Sequence, residues 1–377
     1  MKGRPIIFSA SIGHGHNQAA KAIKAEFEKY GYKPKIIDTF YDIHPLLHAF
    51  MLKSYIQLLK IHPSLWRRLY FRAEEKPLFL LLDRFGTLFV NQLYAMIEKQ
   101  GCPFIISTHP FVTAFLSRMK HVKKIDIPFY TVITDFVLHP AYIRDEIDGY
   151  FTASSEIDSF TKDYNVHSHR FHSTGIPICE NTCFNMSQLN ARNELGLPYR
   201  KKIVLIAGGG IGLTNYVKII QKLEHLREQI QVVCMVGHNR KVKRYIYNQP
   251  SKHHIKVIEF TDQFLLYLKA SDVIISKAGG LTLAEALACE TPIVIFNPVP
   301  GHEEHNAQYL DRVGAAIKVD SEDELSHIVK DVLYKPSFTE KIMLNANKLK
   351  RPDAANHIVE TILMLTEEEV IQEAKKS

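Results

Sequence analysis

Short apolar runs recur along this chain, each followed by a turn and then by a stretch at helical spacing. That alternation constrains the fold class before any single residue is weighed. Pro5–Ala10 is a strand candidate, Ser11–His16 is a glycine-rich turn, and a helix is expected over Asn17–Tyr30. Further strands are expected at Lys35–Asp38, Phe104–Ser107, Phe129–Ile133, Gly149–Ala153 and Arg170–Ser173. Strands joined through helices build a parallel sheet, because parallel neighbours need a crossover connection. Gly175-Ile176-Pro177 breaks the pattern, and the polar stretch up to Pro198 reads as a linker. The alternation then restarts with Lys202–Ala207, the turn Gly208–Gly212, a helix over Thr214–Glu228 and a strand over Gln231–Val236. A chain of 377 residues also exceeds what one core usually supports. The expectation is an α/β protein of two doubly wound domains, residues 1–178 and 179–345. Each presents strand ends to a shared cleft, and the helical segment 346–377 crosses back to the first domain.

The segment Ser276–Asn306, SKAGGLTLAEALACETPIVIFNPVPGHEEHN, carries the most chemistry. Val273–Ser276 reads as a buried strand, and Gly279-Gly280 lets the backbone turn into a helix beginning near Thr282. A helix start offers unpaired N–H groups and the positive end of the macrodipole, and Thr282 adds a hydroxyl, so a diphosphate fits there. Glu285 is expected within the first turn, where its carboxylate suits ribose hydroxyls rather than phosphate. The polar run Pro300–Asn306 after the next strand reads as a loop that hydrogen-bonds a sugar. Ile255–Asp262 reads as a strand and turn that puts Phe260 and Thr261 ahead of a helix over Gln263–Ala270, with the aromatic ring available to a base. Gly208–Gly212 lacks the acidic partner of a dinucleotide fingerprint, so Gly209 and Gly210 are read as allowing close approach of backbone to a diphosphate or donor sugar.

Five scattered cysteines, an odd number in apolar settings, point to reduced thiols in a cytosolic protein and to neither a disulfide frame nor a zinc site. The N-terminal apolar run is too short for a signal peptide, and no run of about 20 apolar residues would span a bilayer. The formal charge of +7 decides little by itself. Its distribution says more. His44–Arg72 holds Lys53, Lys60, Arg67, Arg68 and Arg72 without one acidic residue, interleaved with Phe50, Tyr55, Trp66, Tyr70, Phe71 and aliphatic side chains. Such a segment suits an anionic lipid surface. The alternative is a core helix with a solvated basic face, while nucleic acid is disfavoured because no recognised module accompanies the patch.

Taken together these motifs resemble the diacylglycerol glycosyltransferases: the bacterial processive glucosyltransferases and plant monogalactosyldiacylglycerol synthases, with a more distant similarity to the peptidoglycan UDP-N-acetylglucosamine transferase. The likeness covers nearly the whole chain. SIGHGHNQAAKAI, STHP at Ser107–Pro110, TDF at Thr134–Phe136 and GIPI at Gly175–Ile178 fall in the family's order, followed by EFTD, SKAGGLTLAEA and PGHEEHNA. The resemblance implies a GT-B fold of two Rossmann-like domains and inverting transfer from a UDP-sugar, with no metal and no cofactor beyond that co-substrate. It assigns Phe260 and Thr261 to uracil, Gly280 and Thr282 to the diphosphate and Glu285 to ribose. His302 and Glu303 fall to sugar hydroxyls, with Gly15, Gly279 and Asn306 completing the donor set. Many members carry Gln at the place of His302 and Gly at that of His305.

Inversion needs a base for the acceptor hydroxyl, and His16 and Asp135 are both candidates. Asp135 could instead be a helix N-cap. His14, His109 and His139 fall on the same face by topology, and their spacing defines no metal geometry. The expected activity is transfer of a hexose, glucose first, to 1,2-diacylglycerol by a peripheral enzyme at the cytoplasmic face of the membrane. The competing expectations are an enzyme resembling UDP-N-acetylglucosamine 2-epimerase and a catalytically silent UDP-sugar sensor.

Overall fold

The computed structural model describes residues 3–11, 14–75, 80–99, 101–156 and 158–376. The chain divides into two compact units, the first Met1–Cys179 with Pro300–His302 and Asp353–Ser377, the second Glu180–Val299 with Glu303–Pro352.

The first unit is built on a parallel sheet of β1 (Ile6–Ser9), β2 (Lys35–Asp38), β3 (Ile105–Ser107), β4 (Phe129–Val132), β5 (Gly149–Thr152) and β6 (Phe171–Ser173). Its spatial order is β2-β1-β3-β4-β5-β6. β1, β3 and β4 are buried throughout, as strands covered by helices on both faces must be. On one face Ile7, Ile106, Tyr130 and Phe151 pack against Ile23 and Phe27 of the helix His14–Lys29 and against Ile358, Val359 and Ile362 of the helix Ala354–Lys376. Tyr30 adds a hydrogen bond to Asn356 at 3.1 Å. The terminal segment is two helices, Pro336–Leu349 and Ala354–Lys376, because Pro352 falls between them and cannot continue the ladder of N–H donors.

The second unit repeats the plan with β7 (Ile203–Ala207), β8 (Gln231–Gly237), β9 (His254–Glu259), β10 (Val273–Ser276), β11 (Ile293–Phe296) and β12 (Ile317–Val319), in the order β12-β11-β10-β7-β8-β9. β7 and β10 pair in register from Val204 with Val273 to Ala207 with Ser276. The stretch expected to be a linker is structured. Ser187 accepts the Asn190 N–H to cap a helix over Gln188–Glu194, and Arg192 from that helix pairs with Asp272 at 2.7 Å.

Several expected boundaries move, each for a local reason. The first helix begins at His14, so Gly15 and His16 stand in its first turn rather than on a preceding loop. The helix after the Gly208–Gly212 turn is shorter than expected, Tyr216–Leu223, since Asn215 caps it by accepting the Lys218 N–H. The helix after β10 begins at Gly280 with Gly279 as its cap, so Thr282 is its third residue and Glu285 lies in the second turn. Pro300–Asn306 is not a loop. A helix runs from His302 to Arg312 with Glu303 and Glu304 in its first turn, where the macrodipole favours carboxylates, and Gly301 takes the positive φ of 98° that precedes it.

Candidate functional sites in the two units

Strand order decides where each unit can bind. In an open parallel sheet the connections on either side of a reversal in strand order diverge, leaving a crevice at the carboxyl ends of the two strands. In the second unit the reversal falls between β7 and β10. The Gly208–Gly212 turn follows one strand and Lys277–Gly280 follows the other. In the first unit it falls between β1 and β3, ahead of which stand His16 and Thr108.

The glycine turn of the second unit is closed by Gly212 N–H to Gly209 carbonyl at 2.9 Å and Leu213 N–H to Gly208 carbonyl at 2.8 Å. Gly212 has φ of 61°, and a Cβ there would lie 2.2 Å from the Val236 carbonyl oxygen, so only glycine lets this turn seat against β8. The Gly210 carbonyl accepts the His238 N–H at 2.9 Å. His238 in turn stacks on Phe260, with ring centroids 4.6 Å apart and planes 9° apart. Phe260 remains 45% exposed, so this aromatic pair is a platform rather than core. The Thr261 hydroxyl accepts the Gln263 N–H at 3.1 Å.

Across the crevice the turn after β10 is strained, Ala278 holding a φ of 76° that non-glycine residues seldom adopt. Asn306, fully buried, donates to the Ala278 carbonyl at 3.2 Å and so pins that turn. Glu303 is also buried. It is ion-paired with Lys277, and its second oxygen accepts the Val299 N–H at 2.9 Å. Glu303, expected on a sugar hydroxyl, and Asn306, expected in the donor set, thus each hold a partner within the second unit, and the expected set omits Lys277 and His238. Lys277 could have been found from its place between a strand end and a glycine pair. Glu285 has no hydrogen-bond partner for its carboxyl among the described residues, and burial pushes it up to about 8.

In the first unit, His16 Nδ1 lies 2.6 Å from the Thr108 carbonyl oxygen and 2.9 Å from Thr134 Oγ1. A carbonyl can only accept, so Nδ1 carries the proton and Nε2 is left with a lone pair. The Thr108 hydroxyl returns a hydrogen bond to the His16 backbone carbonyl at 3.2 Å, fixing the same contact from the other side. Burial lowers the His16 pKa, while the Asp135 carboxylate and the Thr108 hydrogen bond act against that shift. The imidazole is therefore neutral at pH 7. No helix begins behind Asp135, the next helical turn among the described residues starting at Pro140, so the N-cap alternative falls. The caps are histidines instead. His109 Nδ1 accepts the Phe111 N–H at 3.2 Å and His139 Nδ1 the Ala141 N–H at 3.0 Å. The His14 side chain lies outside the described residues.

The basic, aromatic segment forms the helices Pro45–Ile61 and Pro63–Glu75. Leu46 is 75% exposed, Phe50 69% and Ile61 64%, while Lys53, Arg67, Arg68 and Arg72 are exposed beside them in sequence. Arg67 sits over the Phe71 ring at 5.1 Å. Trp66 is only half-buried within this unit, and its indole N–H donates to the Pro300 carbonyl at 3.0 Å, so its polar edge is engaged by protein. The Lys60 side chain lies outside the described residues.

Residues 16–178 match the model of the monogalactosyldiacylglycerol (MGDG) synthase family, and residues 203–359 match that of the glycosyltransferase family 28 C-terminal domain. The chain is 30% identical over 365 residues to the processive diacylglycerol beta-glucosyltransferase of a Bacillus cereus strain, covering 95% of this chain and 92% of that one. Among solved structures, Acinetobacter baumannii MurG superposes with a TM-score of 0.61 at 15% identity, over 97% of this chain and 100% of that one. The UDP-GlcNAc 2-epimerase of Neisseria meningitidis, bound to UDP-GlcNAc, gives 0.62 at 14% identity, over 95% and 99%. These two likenesses speak to the fold alone.

Proposed function

The chain belongs to the diacylglycerol glycosyltransferase family, with the GT-B fold and the activity of a UDP-sugar-dependent glycosyltransferase, and on that premise we propose that it moves a hexose, glucose first, from a UDP-sugar to the hydroxyl of 1,2-diacylglycerol. The transfer inverts the anomeric carbon and uses no metal ion. The observation that carries this reading is the 2.6 Å approach of His16 Nδ1 to the Thr108 carbonyl oxygen, from which Nδ1 is inferred to hold the proton and Nε2 to be the proton acceptor. The acceptor hydroxyl gives its proton to Nε2 as its oxygen forms a bond to the anomeric carbon. The bond from that carbon to the diphosphate breaks, and UDP leaves with the electron pair. Asp135 stabilises the imidazolium that results, as its charge already favours that form. The backbone N–H groups that open the Gly280–Ala288 helix receive the charge growing on the diphosphate. Phe260 with His238 receives the uracil, and Glu285 the ribose.

The acceptor lies in a membrane, and the exposed apolar and basic side chains of the Pro45–Glu75 helix pair support peripheral attachment at the cytoplasmic face. No described helix is long and apolar enough to cross a bilayer. Replacing Arg67, Arg68 and Arg72 by Gln is expected to weaken sedimentation with anionic vesicles by about 1 kcal/mol per charge, with UDP affinity unchanged. Undiminished sedimentation would remove the segment from the membrane.

The reaction itself is tested by incubating the protein with diacylglycerol vesicles and, in separate reactions, UDP-glucose, UDP-galactose or UDP-N-acetylglucosamine, reading products by mass spectrometry. Hexosyl-diacylglycerol is expected, and the number of hexoses reads processivity. A UDP-sugar converted to its 2-epimer without a lipid product would favour the epimerase. Binding of UDP with no product of either kind would favour a sensor.

A further inference from the structure

Lys277, partly buried, and Glu303, buried, form an ion pair beside the turns that follow β7 and β10. A Cβ built on Gly279, the cap of the Gly280 helix, would lie 3.9 Å from Lys277 Nζ and 3.7 Å from Glu303 Oε1. One built on Gly209, in the turn after β7, would lie 3.3 Å from Lys277 Cε and 3.9 Å from its Nζ. The ammonium therefore stands beside both backbone segments that flank the switch point. Glu303 is held twice, through Oε1 by Lys277 and through Oε2 by the Val299 N–H at 2.9 Å.

We propose that Lys277 is a donor-sensing residue, exchanging Glu303 for the diphosphate when a nucleotide sugar enters and so releasing Glu303 Oε1 to accept a sugar hydroxyl. The inference rests on the donor-site reading above and adds the order in which its charges are used. The chemistry favours it on two counts. An ammonium on a flexible four-carbon stem with rotatable donors can turn between neighbouring anions without moving the backbone. A buried carboxylate cannot be left unpaired without cost, so Glu303 released by Lys277 needs new donors beyond Val299, and sugar hydroxyls supply them. UDP without a sugar draws Lys277 away but gives Glu303 nothing in return. The pair therefore favours the intact donor over the product nucleotide.

The two partners should then respond in opposite directions, which a merely structural ion pair would not. Calorimetric titration of Lys277→Met is expected to show UDP affinity reduced by about ten- to hundred-fold, the scale of a lost charged hydrogen bond. Glu303→Gln is expected to bind UDP at least as tightly as the native protein, because Lys277 loses its competing partner, and to lose about ten-fold in the ratio of UDP-glucose to UDP affinity. Lys277→Met/Glu303→Gln leaves no buried unpaired charge, so it carries the test should Lys277→Met fail to fold. It is expected to bind UDP as weakly as loss of the lysine predicts. Equal weakening of UDP binding by the two single substitutions, or native UDP affinity in the double variant, would overturn the exchange. A native protein that binds neither UDP nor UDP-glucose would overturn the donor site itself, a result distinct from either.

Discussion

His16→Ala is expected to lower kcat by about 10²- to 10⁴-fold, the usual contribution of a positioned general base, with UDP affinity unchanged. The donor elements belong to the second unit, and His16 belongs to the first. Its pH profile gives a second readout. Burial lowers the His16 pKa below 6.5, so the base is free at neutral pH and is lost only as acid protonates Nε2. The rate should be flat through pH 7 and fall with decreasing pH below about 6.5, and the residual rate of His16→Ala should lack that acid limb. Near-native turnover in His16→Ala, measured by lipid product formation, would transfer the base role to Asp135.

Glu285 carries the second large effect, which divides between binding and stability. Glu285→Ala is expected to weaken UDP-sugar binding by on the order of 1–3 kcal/mol through loss of a hydrogen bond to ribose, read by calorimetry. Unchanged affinity would remove Glu285 from the ribose. The stability effect has the opposite sign. Its carboxyl stands at about 8 in the folded chain against an ordinary 4.5, so between those values the folded protein holds a proton that the unfolded chain has released. Stability from this group is complete below 4.5 and declines as pH rises toward 8. Glu285→Gln, which imitates the protonated form, should therefore melt close to the native protein at about pH 5 and above it at about pH 8, by up to about 4 kcal/mol. A melting difference that does not grow with pH would show that the carboxyl is not shifted. If ribose binds the ionised form, donor binding at pH 7 should release a proton, visible as a dependence of the calorimetric heat on buffer ionisation.

The alternation of apolar run, turn and helical stretch was sufficient to read two parallel sheets, because a strand buried on both faces leaves a near-continuous apolar run and its crossover leaves a helical one. Val273–Ser276 and Ile203–Ala207 show this plainly. The glycine turn after β7 was legible because local backbone demands select residue types, Gly212 holding a φ of 61°, whereas Gly279 holds an ordinary φ of −62° and the left-handed position of the turn after β10 falls on Ala278. Pro300–Asn306 was misread because polar composition suits an exposed loop and the first turn of a helix equally well. The carboxylates of its first turn, Glu303 and Glu304, favour the helix through the macrodipole. The stretch before Pro198 was misread likewise, its helix being held by the Arg192–Asp272 pair across 80 residues of sequence.

Periodicity and short-range backbone chemistry suffice for the repeated α/β architecture, most elements of each sheet and the residue types gathered after their strands. Strand order was decided only by the tertiary structure, and with it the two switch points, between β1 and β3 and between β7 and β10. It alone set Thr108 on His16 Nδ1 and Lys277 on Glu303, contacts spanning 92 and 26 residues. Such pairings depend on which crossovers lie side by side in the sheet, and no local pattern along a chain records that.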